Sequence, residues 1–256
     1  MAGKWERFEH LVRRVHTLGS VSSVLGWDQE TQMPSKGAAA RGEHSALIAG
    51  ITHEALIAVE MGDAIAEVAN ASDLTEAQET ILRETKRKRD RAVNVPQALV
   101  EEISRVQVLA MEAWKTARAN DDFRHFAPHL QRIVDLKREE ADHIGYAAVR
   151  YDAMLDEYEP GATSESVSEM FAPFRTDARA LLDEVLGSEV EVPTELFSRP
   201  LAVSAQVELC RSVAVDLGFD FEAGRLDVSA HPFCSGLHPQ DVRLTTRYAE
   251  NDPLSS

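Results

Sequence analysis

The sequence predicts a mainly α-helical protein, a multi-helix assembly with a small antiparallel β-hairpin near its C-terminus. Apolar residues recur at the three- and four-residue spacing of a helix through most of residues 1–218, beginning with Trp5 and Phe8. Between residues 226 and 248 the pattern changes to an alternation of apolar and polar side chains, which is typical of strands. Residues 219–250 are therefore predicted to contain the hairpin.

The limits of the helices follow from apolar periodicity and from residues that begin or end helices. Gly19-Ser20 is predicted to interrupt the first helix, and the stretch from Gly187 to Pro200 is predicted to be irregular. Gly218 is predicted to end the last helix. The predicted helices cover residues 4–18, a short segment that ends before Met33-Pro34, Ser35 to about Met61, 74–93, Pro96 past Trp114, a segment after Asn120-Asp121-Asp122 that runs to Ile144, Ser164 or Ser166 to Leu186, and 203–217.

Two strands are predicted on either side of a loop that contains Gly236 and Pro239. Successive side chains of a strand point to opposite faces, so the polar residues of each strand share one face. If the two strands pair, one side of the hairpin is apolar and packs on helices. The other side collects acid, imidazole, guanidinium and hydroxyl groups from Asp227, Ser229 and His231 in the first strand and from Asp241, Arg243 and Thr245 in the second.

The composition bounds the partners and the compartment. The chain has 256 residues, with 27 Lys and Arg against 43 Asp and Glu, and its formal net charge is −16. Such a charge argues against nucleic acid or an anionic membrane as a partner, because both require a basic surface. Cys210 and Cys234 do not make a disulfide framework, and no secretory signal or apolar run of membrane-spanning length is visible. A cytoplasmic protein is the expectation.

Several short motifs occur in a fixed order along the chain. His231-Pro232-Phe233 is followed by Asp241-x-Arg243-x-Thr245 within the predicted hairpin. This series resembles that of the carboxypeptidase Taq family of zinc metallocarboxypeptidases, and the resemblance covers essentially the whole chain. The upstream motifs that share in it are Gly26-Trp27-Asp28-Gln29-x-Thr31-x-Met33-Pro34, Tyr151-Asp152-Ala153-x-Leu155-Asp156, Tyr158-Glu159-Pro160-Gly161 and Leu217-Gly218-Phe219-Asp220.

One feature of the family has no counterpart in this sequence. The resemblance implies an HExxH helix within a few tens of residues after the second strand, followed by a further glutamate. None of the nine histidines lies in such a motif, because His53-Glu54 is followed by Ile57 where the second histidine is required. The resemblance therefore implies that residues 1–256 are the N-terminal portion of such an enzyme, helical over 1–218 and with the hairpin at 219–250 lining the cleft. The metal-binding half is expected to be absent.

The resemblance also implies the activity of the complete enzyme. It would hydrolyse C-terminal amino acids from peptide substrates with broad specificity, in a deep cleft of an α-helical fold, and it would be a homodimer. Zinc, or alternatively cobalt, would be held by the HExxH histidines and the later glutamate, with the HExxH glutamate as general base. No catalytic residue and no metal ligand is assigned within this chain. The isolated chain is expected to be inactive and to bind no metal.

Arg243 has two interpretations. A guanidinium offers a planar fork that can bind the terminal carboxylate of a peptide through two hydrogen bonds. The alternative is that Arg243 pairs with Asp241 or Asp227 on the same face and stiffens the hairpin. The second interpretation is favoured, since structural ion pairs are commoner than substrate clamps.

The remaining cleft candidates are His231, Asp241 and Thr245. His231 is predicted either to donate a hydrogen bond to a substrate carbonyl or to be held by backbone next to Pro232. It is not predicted to bind zinc, because Zn²⁺ needs at least three protein ligands and no partner lies at ligand spacing. His125 and His129 are four residues apart, but Pro128 lies between them and makes a metal pair there improbable.

A second function of a different class stays open at this point. A mostly helical chain without a metal motif would also suit a non-catalytic dimerisation or regulatory module. An HExxH motif encoded just beyond Ser256 would favour the enzyme, and a stop codon would favour the module.

Overall fold

A computed structural model describes residues 2–191 and 199–252. Within these residues the chain is predominantly helical, and a small sheet lies near the C-terminal end, so the predicted fold class is confirmed. The predicted irregular stretch at 187–200 contains no helix or strand at residues 187–191 and 199–200, and its residues 192–198 lie outside the described residues. The elements are α1 (Ala2–Thr31), a 3₁₀ turn (Ser35–Gly37), α2 (Ala38–Ile57), α3 (Val59–Ala69), α4 (Glu76–Ala92), α5 (Gln97–Ala119), α6 (Phe123–Ile144), α7 (Arg150–Tyr158), α8 (Ser164–Leu186), α9 (Val203–Asp216), β1 (Gly224–Val228), β2 (Cys234–His238) and β3 (Asp241–Thr246).

The predicted interruption of the first helix at Gly19-Ser20 is wrong, because α1 continues through both residues. A glycine inside a helix costs about 1 kcal/mol relative to alanine, an amount that tertiary contacts easily offset. Ser20 supplies one such contact: its Oγ lies 2.9 Å from the backbone oxygen of Leu237 in β2 and 3.2 Å from that of His16. The residue that was expected to break α1 therefore fastens it to the sheet.

Two apolar clusters hold the helices together. The first joins α1 to α3, and its fully buried members include Phe8, which has no exposed surface, and Met61, which is 1% exposed. The second joins α5 to α6 around Leu99, Ile103 and Leu136. Burying a side chain of this size contributes about 1.5–3 kcal/mol each, so both clusters stabilise the helical part.

Helices α2 and α5 approach closely because α2 presents small residues to α5. Gly42, Ala46 and Gly50 are all buried and recur every fourth residue along α2. A Cβ atom added to Gly50 would lie 2.4 Å from Oε1 of Glu101, and one added to Gly42 would lie 3.3 Å from Cγ of Arg105. The alanine-rich composition of this segment thus serves close helix packing.

Helix boundaries follow the predicted signals in most places. Thr75 caps α4 in a capping box with Gln78, and Pro96 precedes α5. The helix predicted to extend to about Met61 is divided at Ala58, where α2 and α3 meet at a bend of 43°. Helix α7 was not predicted, and Thr163, not Ser164 or Ser166, caps α8.

The two predicted strands pair with each other, but their predicted antiparallel direction is wrong. The sheet has the order β1-β3-β2, in which β1 pairs with β3 in parallel and β2 pairs with β3 antiparallel. The stretch predicted to be a loop contains β2, which carries the chain along the far side of β3 and returns through Pro239-Gln240. The antiparallel hairpin therefore consists of β2 and β3.

No single helix among residues 2–191 and 199–252 is long and apolar enough to cross a membrane. The bent pair formed by residues 35–57 and 59–69 reaches the required length and composition together.

Phe8→Ala is expected to lower the free energy of unfolding by about 3–5 kcal/mol, because it leaves a cavity where α1 packs on α3. Leu47→Ala provides the control, since Leu47 is 62% exposed and its truncation is expected to change stability by less than about 0.5 kcal/mol. Urea unfolding followed by circular dichroism measures both values. Equal effects of the two substitutions would contradict the assignment of Phe8 to the core.

Candidate functional site

The polar face of the sheet lies against α1. The parallel register places Arg225 opposite Arg243 and Asp227 opposite Thr245, so these four side chains share one face. Arg225 donates two hydrogen bonds of 2.6 Å to the carboxylate of Asp227. Arg243 donates hydrogen bonds of 2.5 and 3.0 Å to the carboxylate of Asp241. Each arginine is therefore paired with the aspartate two residues away on its own strand.

Both arginines also stack on the indole of Trp27 in α1. The guanidinium carbon lies 4.3 Å from the ring centroid for Arg243 and 4.8 Å for Arg225. Trp27 is 7% exposed, and both contacts are within the range of a cation–π interaction. The interaction connects the helical part of the molecule to β1 and β3, with the two aspartates balancing the two positive charges.

Thr245 organises the segment that carries the His-Pro-Phe motif. Its hydroxyl accepts a hydrogen bond of 2.8 Å from the backbone N–H of Phe233 and lies 3.1 Å from the carbonyl oxygen of the same residue. Ser229 Oγ lies 2.8 Å from Thr245 Oγ1 and 2.9 Å from the backbone oxygen of His231. Ser229 and Thr245 are both buried, so these hydroxyls fix the path of the chain between β1 and β2.

The structure places His231 beyond the end of β1, apart from the ladder that holds Arg243 and Thr245. Its side chain is exposed, and its ring meets the indole of Trp114 in α5 edge to face at 6.5 Å. Arg118, one turn further along α5, stacks on the same indole at 5.3 Å and donates a hydrogen bond of 2.5 Å to the carbonyl oxygen of Ala230. The imidazole is thus held at the edge of the sheet with its surface open to solvent.

The charges on the polar face reinforce one another. The hydrogen bond from Arg243 lowers the pKa of Asp241 below its ordinary value, with help from the charge of Arg243. Reciprocally, the hydrogen bond to Asp241 raises the pKa of Arg243. Both groups therefore stay ionised across the physiological range, and the ion pair does not change state there.

The sequence did not predict that Arg225 and Trp27 belong to this arrangement. Arg225 lay one residue before the start of the predicted strand, although its spacing from Asp227 equals that of Asp241 from Arg243. Trp27 belongs to one of the motifs that carry the family resemblance, but nothing in the sequence pattern links it to the strands. The available signal for Arg225 was that each of the two strands has an arginine two residues from an aspartate.

The residues that the structure describes contain no group of three or more His, Cys, Asp or Glu side chains that could hold a metal ion. The rings of His125 and His129 lie 6.3 Å apart, but the group has no third member. The side chains of residues 2–191 and 199–252 therefore do not fit a catalytic metal.

Solved structures place this fold among the carboxypeptidases. The protein called BsuCP superposes with a TM-score of 0.93 at 27% identity, over 99% of this chain and 51% of that one. The M32 carboxypeptidase of Deinococcus radiodurans R1 superposes with a TM-score of 0.81 at 29% identity, over 99% of this chain and 51% of that one. Both similarities extend over nearly the whole of this chain.

Sequence similarity then defines the family. The model of the family described as "Carboxypeptidase Taq (M32) metallopeptidase" matches residues 7–256. The chain belongs to that family. Thermostable carboxypeptidase 1 of Thermus thermophilus is 33% identical over 253 residues, which are 93% of this chain and 49% of the relative. The chain therefore spans about half the length of the curated relatives that it matches. Membership of a metallopeptidase family implies a metal cofactor.

Thr245→Val is expected to lower the free energy of unfolding by about 1–3 kcal/mol, because it leaves the partly buried N–H of Phe233 and the buried hydroxyl of Ser229 without this partner. Thr246→Val is the matched control: Thr246 is also buried and adjacent, but it lies on the opposite face of β3. The measurement is urea unfolding of both variants. Two equal losses would contradict the role of the Thr245 hydroxyl.

Asp241→Asn is expected to reduce stability at neutral pH and to have no effect in acid. The folded state holds the pKa of Asp241 below the unfolded value of about 3.9. The carboxylate therefore contributes stability above that pH, and the contribution is lost as the pH falls through the lower, folded pKa.

Unfolding curves of the native chain and of Asp241→Asn between pH 7 and pH 2.5 test this dependence. The same comparison in an Arg243→Gln background is the control, because the hydrogen bond that lowers the pKa is then missing. A stability difference that persists unchanged to pH 2.5 would contradict the assignment.

Proposed function

We propose that this chain forms one wall of the peptide-binding cleft of a metallocarboxypeptidase, which releases C-terminal amino acids from peptides with broad specificity. The observation that carries the proposal is the family match over residues 7–256, which includes both the His231-Pro232-Phe233 motif and the Asp241-x-Arg243-x-Thr245 motif. The relatives are named as carboxypeptidases, and the chain matches about half of each. The chain corresponds, in this proposal, to the N-terminal half of such an enzyme.

Arg243 and Asp241 have a positioning role in this proposal. The planar fork of Arg243 is already bound to the carboxylate of Asp241, and its face is covered by Trp27. A terminal carboxylate of a peptide would have to displace Asp241 to be bound in the same way. The pair therefore stiffens the cleft wall, which agrees with the interpretation that the sequence favoured.

His231 is the cleft residue best placed to meet a substrate. Its imidazole is exposed and is held by the contact with Trp114, while Thr245 and Ser229 fix the backbone around it. A neutral or protonated imidazole can donate a hydrogen bond to the carbonyl oxygen of a peptide as negative charge develops on it. Such a donor is the contribution that this half makes to the reaction.

The metal is proposed to be zinc, or alternatively cobalt, bound by residues other than those described here. In such an enzyme the metal ion would supply Lewis-acid chemistry for peptide hydrolysis. The complete enzyme is also proposed to be a cytoplasmic homodimer. Both cysteines among the described residues are free, which suits a reducing compartment. The net charge of −16 supports the absence of a nucleic-acid partner.

Co-expression of this chain with the half of the Thermus thermophilus carboxypeptidase 1 that it does not match tests the proposal. The purified mixture, supplied with zinc, is expected to release the terminal amino acid from an N-blocked dipeptide. His231→Ala is expected to lower kcat/KM by roughly 10²-fold, the usual effect of removing one hydrogen-bond donor to a developing oxyanion.

His10→Ala is the matched control, because His10 is an exposed histidine of α1 outside the sheet and its removal should leave kcat/KM unchanged. Equal kcat/KM values for the two variants would remove His231 from the site. A well-formed complex without any peptidase activity would overturn the proposed function.

The 256-residue chain alone is expected to release no amino acid from the same dipeptide and to retain less than one equivalent of zinc after dialysis, because its described side chains offer no three-ligand group. Metal analysis and the peptidase assay measure the two quantities. One bound equivalent of zinc together with turnover would contradict this expectation.

A further inference from the structure

His231 lies in a stretch of the chain that the sheet does not hold. The bonds from β1 to β3 end where the Ser229 N–H donates to the carbonyl oxygen of Thr246. The bonds to β3 resume where the Thr245 N–H donates to the carbonyl oxygen of Phe233. In the described sheet, no backbone hydrogen bond joins the three residues between these points to β3. Contacts from outside the ladder therefore set the orientation of the imidazole.

Both peptide groups that flank His231 are held by side chains. The carbonyl oxygen of Ala230, in the preceding peptide group, accepts the hydrogen bond of 2.5 Å from Arg118. The carbonyl oxygen of His231, in the following one, lies 2.9 Å from Ser229 Oγ. A peptide group is planar, so fixing its oxygen restricts the rotation of the whole group. Pro232 narrows the backbone angles of the preceding residue further, and the backbone at His231 is thus restrained on both sides.

The imidazole ring is restrained by the same helix that supplies Arg118. The planes of the His231 and Trp114 rings are 88° apart, so the rings meet edge to face. The guanidinium of Arg118 stacks on that indole, four residues further along α5 and therefore on the same side of the helix. Helix α5 is itself fixed in the fold, because Ala113 and Ala117 beside these residues are buried. A packed helix thus carries both groups that contact the segment around His231.

Arg118 differs from the arginines of the polar strand face in its partners. Arg225 and Arg243 each form an ion pair with an aspartate. No carboxylate of residues 2–191 and 199–252 pairs with Arg118, which contacts the carbonyl oxygen of Ala230 and the indole of Trp114 instead. A charged donor makes a shorter and stronger hydrogen bond than a neutral one. The contacts of Arg118 are therefore directed at the two groups that hold the histidine.

We propose that Arg118 is a positioning residue for His231, whose imidazole it orients through the carbonyl group of Ala230 and the indole of Trp114. The consequence for catalysis rests on the proposed function, in which His231 donates a hydrogen bond to a peptide carbonyl. Such a donor stabilises developing charge only when it is held in place before the reaction. The orientation of the ring is a property of this chain and can be measured without any activity.

The first measurement is NMR of the 256-residue chain with isotope-labelled histidine, in which His231→Ala identifies the signals of His231. The ring current of the indole is expected to displace these signals from their positions in the urea-unfolded chain, and Trp114→Leu is expected to remove the displacement. Arg118→Ala is expected to move the signals toward their unfolded positions. Arg118→Lys is expected to keep more of the displacement, because lysine can still donate to a carbonyl oxygen but lacks the planar group that stacks.

The second measurement is the peptidase activity of the co-expressed complex that tests the proposed function. Arg118→Ala is expected to lower kcat by up to roughly 10²-fold, the loss that a misplaced reacting group can cause, and to leave KM nearly unchanged. In a His231→Ala background the same substitution is expected to have no further effect on kcat, because Arg118 acts through His231. Arg124→Ala is the matched control: Arg124 is an exposed arginine of α6, and its removal should change neither the His231 signals nor kcat.

His231 signals that Arg118→Ala leaves in place would overturn the proposal. So would an unchanged kcat, or an equal loss of kcat with and without His231, since an equal loss marks a general structural role. Helical circular dichroism verifies the folding of each variant, and Arg118→Lys replaces Arg118→Ala in both measurements if the alanine variant does not fold. A complex that is inactive with every variant refutes the proposed function, and the NMR signals then decide the positioning role alone.

Discussion

The arrangement of the polar face of the sheet depends on the contact of Arg225 and Arg243 with the indole of Trp27. Arg225 and Arg243 lie on adjacent parallel strands and would repel each other if left alone. Trp27 offers the negative face of its ring to both, and Asp227 and Asp241 neutralise them from the side. The helical part and the sheet are joined here by the two cation–π contacts, in addition to the hydrogen bond from the Ser20 hydroxyl to the backbone oxygen of Leu237.

The sequence predicts most of the helical part because its signals are local. Helix-end signals depend only on residues within one turn of the helix end, so the structure keeps them. Examples are the caps at Thr75 and Pro96 and the glycine after α9, Gly218. Gly19-Ser20 and Ala58 were misjudged, since tertiary contacts decide whether a weak position continues or bends a helix. The short helix α7 follows Gly145, whose positive φ ends α6, and its apolar pattern is too brief to distinguish.

The sequence predicted which residues form much of the candidate site, but not how the strands that carry them are arranged. The alternation of side chains placed Asp241, Arg243 and Thr245 on one face, and the register joins Asp227 to them. The direction of the strands could not be deduced, because β2 contains a glycine and little apolar alternation and resembles a loop. The position of His231 depends on the turn after β1, which is held by hydrogen bonds of the Ser229 and Thr245 hydroxyls. Apolar periodicity could not predict this contact, because Ser229 and Thr245 are far apart in the sequence.

The strand order has a consequence for biosynthesis. In the described sheet, β3 is central and pairs with both β1 and β2, although it is the last of the three to be made. On the ribosome, β1 and β2 therefore emerge without a ladder partner from the sheet and wait until Thr246 has been added. The sheet is accordingly completed after the α1–α3 cluster, because the buried residues of that cluster lie within the first 69 residues and β3 ends at Thr246.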